Sequence, residues 1–161
     1  MAVAPGIIYD GACRASITEA RLGVCFDQPV FLFARIRMPY LTITATQGLS
    51  ADQKKQLLER SSDAVVRSIG APLKSVRVLL NELSTDCYMD GGQFGGQTVM
   101  YEVDFIEGRT EELKSALIAA LSKTAHEVTG LSEQDIRVRL SDFPKTNMGM
   151  AGGITAKQAG R

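Results

Sequence analysis

Residues 38–44, with the sequence MPYLTIT, decide the fold of this 161-residue chain. A methionine and a proline stand in front of a run in which leucine and isoleucine alternate with threonine. This period of two predicts a β-strand that buries one of its faces. Everything after the stretch can be ordered as two copies of one unit, whereas residues 1–37 match no part of that repeat.

The first copy begins with the strand that follows the proline. Ser50 and Gln53 have the spacing of a capping box, which predicts that a helix starts there. Apolar residues then recur at helical spacing until Gly70, a residue typical of a left-handed helix C-cap. Residues 76–80 predict a second strand, and the loop after it ends with the glycine pair 91–92.

The second copy repeats this order at a constant distance along the chain. Residues 98–106 predict a strand, Thr110 a helix N-cap, Gly130 the end of that helix, and residues 136–140 the last strand. The offset is 60 residues for each matched pair: Gly48 with Gly108, Ser50 with Thr110, Gly70 with Gly130, Arg77 with Arg137, and Gly92 with Gly152. A constant offset over so many turn and cap residues indicates an internal duplication.

Two such units predict an α+β fold. The strands of one β-α-β unit must be parallel, with a right-handed crossover. Side by side, the two units give a four-stranded mixed sheet with both helices on one face. We expect apolar side chains on the other face, and burying them requires another copy of the chain, which predicts a cyclic homo-oligomer. The end of the chain, residues 154–161, is expected to be loosely held.

The composition restricts the function classes. Equal numbers of acidic and basic residues give a net charge of zero, so no overall field attracts nucleic acid or an anionic membrane. Three widely spaced cysteines and a single histidine, His126, argue against a disulfide framework, a zinc site and a histidine-based triad. No apolar run approaches the roughly 20 residues of a membrane span, and no secretory signal is recognisable. We therefore expect a cytoplasmic protein without a membrane or nucleic acid partner.

The motifs of residues 39–160 resemble the 4-oxalocrotonate tautomerase family in its fused form, which has two β-α-β units in one chain. They are Pro39 with the strand after it, Gly-Leu-Ser at 48–50, Ala-Pro-Leu-Lys-Ser-Val-Arg-Val at 71–78, and Glu-Gly-Arg-Thr at 107–110. The run at 71–78 is specific. The resemblance covers the whole chain except the segment before the repeats.

The resemblance implies a domain organisation. Residues 38–161 form a fused tautomerase domain, with one unit at about 39–92 and the other at about 98–153. Residues 1–37 are an N-terminal extension with two readings. They are either an ordinary segment packed on the domain or the upstream translation of a gene that starts at Met38.

The resemblance also implies roles for five residues. In this family an amino-terminal proline is the base, arginines bind the substrate carboxylates, and an aromatic residue walls the site. By position, the catalytic residues are Pro39 as the base and Arg109 in the Glu-Gly-Arg motif. The substrate-binding residues are Arg77 and Arg137 on the second strands, and Tyr88 as the aromatic residue. Tyr88 can as easily belong to the core or to an interface.

The two copies differ at the positions that matter most for this chemistry. Val99 stands where the second copy would have the proline, and Leu49 stands where the first copy would have the Glu-Gly-Arg arginine. Neither copy holds both groups, so the site must join Pro39 to Arg109. This implies one complete site per chain, and three per trimer if the relatives' trimeric assembly is shared.

Several of these residues also have a purely structural interpretation. Pro39 can simply begin an edge strand, a place where proline is tolerated. Arg77 and Arg137 lie in apolar strands, where an unpaired charge is costly, so they need a carboxylate or an acidic side chain. Glu82 or Asp142 is a candidate for that partner, in which case the arginines are structural.

A free prolyl amine would supply the base without any metal or organic cofactor. Its intrinsic pKa is near that of an α-amino group, about 7.7–8.0, and an apolar pocket with arginine charges lowers that pKa towards neutrality. Such an amine can take a proton from an enol or a carbon acid and return it elsewhere. As written, the nitrogen of Pro39 is acylated by Met38, and processing at Met38 would free it.

These points predict an enol–keto tautomerase that acts on a small carboxylated 2-oxo or 2-hydroxy-dienoate. A dehalogenase or decarboxylase on the same scaffold is the alternative enzyme. In the related haloacrylate enzymes a water-activating Glu falls at Met150 and an associated Tyr at Arg139, and in the related decarboxylase an extra Asp falls at Ser75. The acids that those activities need are therefore replaced here, which favours plain tautomerisation. The other alternative is a non-catalytic oligomeric binder of small carboxylates, in which Pro39 stays acylated and residues 1–37 cover the site.

Overall fold

The structure, a computed structural model, describes residues 38–160. The expectations for residues 1–37 and for Arg161 lie outside the described residues. The helices and strands, in chain order, are β1 (Tyr40–Thr46), α1 (Ala51–Ile69), β2 (Arg77–Leu83), β3 (Met89–Asp90), β4 (Gln93–Phe94), β5 (Val99–Ile106), α2 (Glu111–Thr129) and β6 (Ile136–Phe143).

The four long strands form one mixed sheet in the order β2-β1-β5-β6. β1 pairs with β2, and β5 with β6, in parallel, whereas β1 and β5 are antiparallel at the centre. The two β-α-β units are therefore related by an approximate two-fold axis through the centre of the sheet. As a result, the start of β1 lies beside the end of β5. The predicted α+β fold is confirmed.

The ends of both helices follow the predicted cap residues. Ser50 donates its backbone N–H to Oε1 of Gln53 over 3.0 Å, and the N–H of Gln53 donates to Oγ of Ser50 over 3.2 Å, which is the capping box. Gly70 ends α1 with a φ of 64°, a left-handed conformation that glycine adopts without strain. Thr110 begins α2 with a side-chain cap but no capping box, and Gly130 ends it in the left-handed conformation.

One core fills the space between the helices and the sheet. Alternate residues of the central strands point into it, and Leu41 and Ile43 of β1 and Val103 of β5 are fully buried. Leu57 of α1 and Leu121 of α2 are equally buried in the same cluster. Both helices therefore lie on the same face of the sheet, as the duplicated pattern predicts.

The opposite face of the sheet is mostly polar, so the expectation that it carries apolar side chains is wrong for most of this face, although Leu79 of β2 lies there and is 53% exposed. β1 places Thr42 and Thr44 there, and β5 places the exposed residues Glu102 and Asp104 there. Arg139 of β6 forms an ion pair with Glu102 on this face. The cause is the alternation of the central strands, which sends the apolar residues to the helices and the polar ones away from them. The apolar surface exposed on this face is therefore limited, and its burial alone is a weak argument for an oligomer.

After β2 the chain forms a small hairpin that the sequence pattern does not predict. β3 and β4 pair in antiparallel around Gly91 and Gly92, whose φ angles of 54° and 83° suit a two-residue type I′ turn. At the base of the hairpin, a Cβ on Gly96 would lie 3.5 Å from the ring of Tyr88. The tip exposes an aromatic side chain, since Phe94 is 66% exposed.

Candidate active site

Pro39 stands immediately before β1 and is buried. Its carbonyl oxygen accepts a hydrogen bond from the backbone N–H of Arg77 over 3.1 Å, so the ladder between β1 and β2 already includes it. On the other side, Tyr40 lies opposite Asp104 in the antiparallel pair, and the same register sets Pro39 beside Phe105. The proline is therefore held between β2 and β5 at one end of the sheet.

Arg109 folds back over the end of β5. Its Nη1 donates to the carbonyl oxygen of Ile106 over 3.0 Å, and its guanidinium carbon lies 4.4 Å from the centre of the Phe105 ring. Gly108, with a φ of 103°, makes the turn that takes the chain from the strand to the helix at this point. Because Phe105 also neighbours Pro39, the structure brings the proline and the arginine to the same end of the sheet.

Arg77 lies at this end too, with its side chain on the polar face of the sheet. The parallel register sets it beside Tyr40, the residue that follows Pro39. Its Nη1 donates to the carbonyl oxygens of Lys74 and Val76 over 2.9 and 3.2 Å. Of the two second-strand arginines, Arg77 is therefore the one at the proline end within a single chain.

The predicted acidic partners of the second-strand arginines are wrong. Glu82 forms an ion pair with Lys54, with 2.7 Å between Oε1 and Nζ. Asp142 forms the matching pair with Lys114 in the second repeat. Glu82 is five positions after Arg77, and an odd spacing puts two side chains of one strand on opposite faces.

Two predicted site residues lie at the opposite end of the sheet. Arg137 is beside Met100, near the start of β5, and its Nη1 donates to the carbonyl oxygen of Ile136 over 3.1 Å. Tyr88, half-buried, follows β2, whose last residues pair with the last residues of β1. Within one chain the structure does not bring either residue to Pro39.

A second apolar cluster lies at the proline end of the sheet, and sequence reasoning missed it. Its buried members are Ile106, Met148 and Ala156, and both residues that flank Pro39 pack against it. The N–H of Ala156 donates to the carbonyl oxygen of Met148 over 2.8 Å. The expectation of a loosely held segment at 154–161 is therefore wrong for its described part, because this cluster fixes it. A signal was present, since isolated apolar residues among glycines suggest anchoring points.

The end of the sheet that holds Val99 has neither functional group. Val99 is buried at the place related by the approximate two-fold axis to that of Pro39, and Leu49 takes the place of Arg109. A cavity of about 90 Å³ lies here, lined by Val99, Leu49 and polar residues such as Gln97, with no charged side chain in its lining. The two ends of the sheet have therefore diverged chemically while keeping the same backbone.

Two further observations concern the described part of the chain. Among residues 38–160, no group of three histidine, cysteine or acidic side chains is placed to hold a metal ion. In the same range no helix is both long and apolar enough to cross a bilayer. The proline end of the sheet holds two arginines and an apolar cluster, groups that suit a small ligand with a carboxylate.

The family model of tautomerase enzymes matches residues 39–96 and, a second time, residues 102–158. The two matches fall on the two repeats and together span more than half of the chain. The internal duplication is therefore a duplication of a tautomerase unit.

Similar structures and curated proteins agree with this result. Pt0534, solved after inactivation by 2-oxo-3-pentynoate, is 68% identical, with a TM-score of 0.75 over 76% of this chain and 99% of that one. The fused 4-OT protein Q0, a wild-type symmetric trimer, is 45% identical, with a TM-score of 0.74 and the same coverage. The 2-hydroxymuconate tautomerase of Pseudomonas putida is 42% identical over 60 residues, which are 37% of this chain and 94% of that enzyme.

The curated relative matches a length equal to one repeat, whereas the solved fused proteins match both repeats at once. Relatives of both kinds share the β-α-β unit, and those named for an activity are tautomerases, which are isomerases. From the family match over both repeats, this chain belongs to the tautomerase family and is an enzyme of the isomerase class.

Proposed function

We propose that this chain is a cofactor-independent enol–keto tautomerase for a small carboxylated 2-oxo or 2-hydroxy-dienoate, with the nitrogen of Pro39 as its base. The observation that carries the proposal is the placement of Pro39 and Arg109 on either side of Phe105 at one end of the sheet. Arg77 lies at the same end and offers a second cation to the ligand. At the other end Val99 and Leu49 stand in place of Pro39 and Arg109, so of these three groups that end keeps only the second-strand arginine, Arg137.

The reaction moves one proton and leaves the composition of the substrate unchanged. The amine of Pro39 takes the proton from the enol hydroxyl, the oxygen electron pair forms the C=O bond, and the double bond shifts along the dienoate. The amine then returns the proton to the carbon that has gained the electron pair. Arg109 binds the carboxylate and stabilises the negative charge that develops on the neighbouring oxygen.

The surroundings of Pro39 suit an amine that must be neutral near physiological pH. An α-amino group has an intrinsic pKa of about 7.7–8.0. The apolar cluster of Ile106 and Met148 disfavours the charged form by desolvation, and the guanidinium of Arg109 disfavours it by repulsion. Both effects lower the pKa of a free Pro39 amine, so that more of it is ready to accept a proton.

The base exists only when the peptide bond between Met38 and Pro39 is cut. While that bond is intact, the nitrogen is part of a tertiary amide and has no basicity. We therefore propose that the active form begins at Pro39, because a small residue after an initiator methionine normally permits removal of the methionine. The domain that acts is then the fused tautomerase domain from Pro39 onwards, without residues 1–38.

The ligands of the relatives support the proposed substrate class. Pt0534 is inactivated by 2-oxo-3-pentynoate, a 2-oxo acid whose triple bond is conjugated to its ketone. A nucleophilic amine can add to the alkyne carbon remote from the ketone, while a proton is added to the neighbouring carbon. The Pseudomonas putida relative is named for 2-hydroxymuconate, which is a 2-hydroxy-dienoate. Both compounds carry a carboxylate next to the oxygenated carbon.

We also propose that the chain works as a homotrimer. The fused 4-OT proteins Q0 and F6 are a symmetric and an asymmetric trimer, respectively. In one chain Tyr88 and Arg137 lie at the end of the sheet away from Pro39, so only another copy can bring them to the site. The exposed tip of the hairpin, with Phe94 and Met89, offers an apolar contact for such a copy.

Two alternatives are less well supported. A dehalogenase or decarboxylase needs an acid that handles water, but Ser75 is buried and donates its hydroxyl to the carbonyl oxygen of Pro72 over 2.7 Å. Arg139 is engaged in its ion pair with Glu102. A non-catalytic carboxylate binder remains the outcome if the nitrogen of Pro39 stays acylated.

A cytoplasmic location suits the chain, because Cys87 is an exposed free thiol.

Ketonisation of phenylenolpyruvate, followed with the protein expressed from its own gene, tests the proposal. The intact mass shows whether the chain begins at Pro39, and peptide mapping after treatment with 2-oxo-3-pentynoate shows whether the added mass lies on that residue. Pro39→Ala should abolish most of the turnover, because the acyclic amine it leaves is a different and poorer base. Val99→Ala is the matched control, since it makes the same kind of change at the related position.

The outcomes separate the three readings. Turnover that Pro39→Ala removes and Val99→Ala retains supports the tautomerase. Equal turnover in the Pro39→Ala variant and its parent would show that the proline is not the base. A mass that retains residues 1–37, together with binding of a carboxylate and no turnover, would replace the enzyme with a binder.

A further inference from the structure

We infer that Phe105 is a positioning residue of this enzyme: the face of its ring holds the guanidinium of Arg109 at the proline end of the sheet and thereby sets the affinity for the substrate carboxylate. The inference rests on the proposed function and goes beyond it, since no role has so far been given to Phe105. It concerns how the arginine is held, and not which residue moves the proton.

A ring contact and a hydrogen bond both act on the orientation of the guanidinium. Its carbon lies 4.4 Å from the centre of the Phe105 ring, within the range of a cation–π interaction, so the ring supports one face of the planar group. The donation from Nη1 to the carbonyl oxygen of Ile106 over 3.0 Å fixes a direction within that plane. A face contact and an edge contact together define the orientation of a planar group, so Arg109 loses little side-chain freedom when a carboxylate arrives.

The position of Arg109 explains why such support is needed. The residue stands just before Thr110, the N-cap of α2, where the helix dipole disfavours a positive charge. The π-face of Phe105 offsets this, because it carries negative electrostatic potential. The ring itself cannot move away, since Phe105 is completely buried in the core.

The duplication supplies an internal comparison. The residue matched to Phe105 in the first repeat is Ala45, and the residue matched to Arg109 is Leu49. Ala45 is also buried. It pairs with Val99, just as Phe105 lies beside Pro39 in the other repeat. At this position the core therefore holds a small residue, Ala45, in the first repeat and an aromatic ring, Phe105, in the second. The ring is in the repeat that has Arg109.

The same ring also borders the proposed base. The antiparallel register sets Pro39 beside Phe105, while Arg109 covers the ring from the loop. The ring is therefore a spacer between the group that binds the carboxylate and the group that moves the proton. If a leucine replaces the ring, the arginine gains freedom and carboxylate binding weakens, while Pro39 keeps an apolar neighbour and its place immediately before β1.

The test compares three variants in the ketonisation of phenylenolpyruvate. Phe105→Leu keeps an apolar side chain and removes the π-face, and we expect KM to rise roughly three- to thirtyfold with kcat little changed. Phe105→Tyr keeps the face and should restore KM towards that of the parent. Val103→Ala is the matched control: it removes buried volume from the same strand and the same face, so it should lower the stability and leave KM unchanged.

A second readout reports the contact without turnover. In the parent and in Phe105→Tyr, the Nε–Hε resonance of Arg109 should be shifted upfield by the ring current, and in Phe105→Leu it should return towards the position of a solvated arginine. The inference would be overturned if the parent is active and the Phe105→Leu variant keeps both the parent's KM and the shifted Arg109 resonance. If KM rises equally in Phe105→Leu and Val103→Ala, the effect is general damage to the core, and the inference is wrong. A parent without turnover contradicts the proposed function instead, and the resonance still decides whether the ring holds the arginine.

Discussion

Ser61 and Tyr101 share a hydrogen bond inside the core, with 3.1 Å between Oγ of the serine and the phenolic oxygen. The two residues are 0% and 1% exposed. Each residue has a match in the other repeat: Leu121 for Ser61 and Leu41 for Tyr101. A polar pair in one half of the core therefore corresponds to an apolar pair in the other half. A buried hydroxyl pair ties α1 to β5 only while both partners are present and protonated.

This pair should make the free energy of unfolding fall at alkaline pH. Burial raises the pKa of Tyr101 from 10.0 to about 12, and the hydrogen bond with Ser61 opposes the rise. Because the pKa of Tyr101 is higher in the folded than in the unfolded chain, its stabilisation is complete below the unfolded pKa and is lost as the pH rises through the folded pKa. The free energy of unfolding should fall by about 2–3 kcal/mol over this range. Urea unfolding at several pH values in this range measures it.

Tyr101→Phe provides the comparison for that titration. The variant should lose about 1–2 kcal/mol at neutral pH, because the hydroxyl of Ser61 is left without its partner. Its stability should then decline less steeply than that of the parent above the unfolded tyrosine pKa. Parallel declines in the two proteins would mean that Tyr101 titrates normally.

Arg109→Ala should reduce kcat/KM for phenylenolpyruvate by roughly 100- to 1,000-fold, the usual effect of removing a charged group that stabilises the transition state. Leu49→Ala is the control from the first repeat, where the matched residue is apolar and half-buried. It should lose a little stability and no turnover. Arg109→Lys should recover only part of the loss, because an ammonium group cannot bind a carboxylate bidentately. Comparable losses in the alanine variants at 49 and 109 would contradict the assignment.

Ser50→Ala should lower the free energy of unfolding by about 1 kcal/mol, and more than Thr110→Ala does. Oγ of Ser50 accepts a hydrogen bond from the backbone N–H of Gln53 over 3.2 Å, as part of a reciprocal capping box. Oγ1 of Thr110 accepts from the backbone N–H of Leu113 over the longer distance of 3.5 Å. The first cap also holds Gln53, whose Nε2 donates to the carbonyl oxygen of Val128 over 3.1 Å. Thermal or urea unfolding of the two variants decides the order, and an equal loss would show that the box adds nothing.

Phe94→Ser should weaken the assembly. The side chain is 66% exposed in one chain, and burying a phenylalanine against another copy is worth about 1.5–3 kcal/mol, so the dissociation constant should rise roughly tenfold or more. Size-exclusion chromatography with light scattering over a dilution series measures this. Gln93→Ser changes the neighbouring, equally exposed position of the hairpin and should leave the assembly intact. An unchanged trimer in the Phe94→Ser variant would place the contact elsewhere.

Sequence patterns were sufficient for the parts of this protein that depend on local physics. The caps at Ser50 and Thr110 and the left-handed residues at Gly70 and Gly130 follow from hydrogen-bonding rules that act within a few residues. The mixed sheet followed from the repeat. The partners of the second-strand arginines did not follow from it, because Arg77 and Glu82 are an odd number of positions apart and so lie on opposite faces of β2.

Other features depend on contacts that no local pattern encodes. The strands of the hairpin are two residues each, too short for an alternation to be recognised. The contact between Phe105 and Arg109 requires the turn at Gly108 to direct the side chain back over the strand. The cluster around Met148 joins residues from the start and the end of the domain. Only the folded chain shows which of these residues meet.

The buried position of Val99 has a consequence for how many reactive ends such a protein can have. Whatever side chain stood at this position, its nitrogen would be bonded to the carbonyl carbon of Thr98, and an amide nitrogen cannot serve as a base. The number of amine-bearing ends in an assembly is therefore set by the number of chain starts and not by the number of repeats. Giving the second end such chemistry would take a cleaved peptide bond before position 99, and not only the exchange of Val99 and Leu49 for a proline and an arginine.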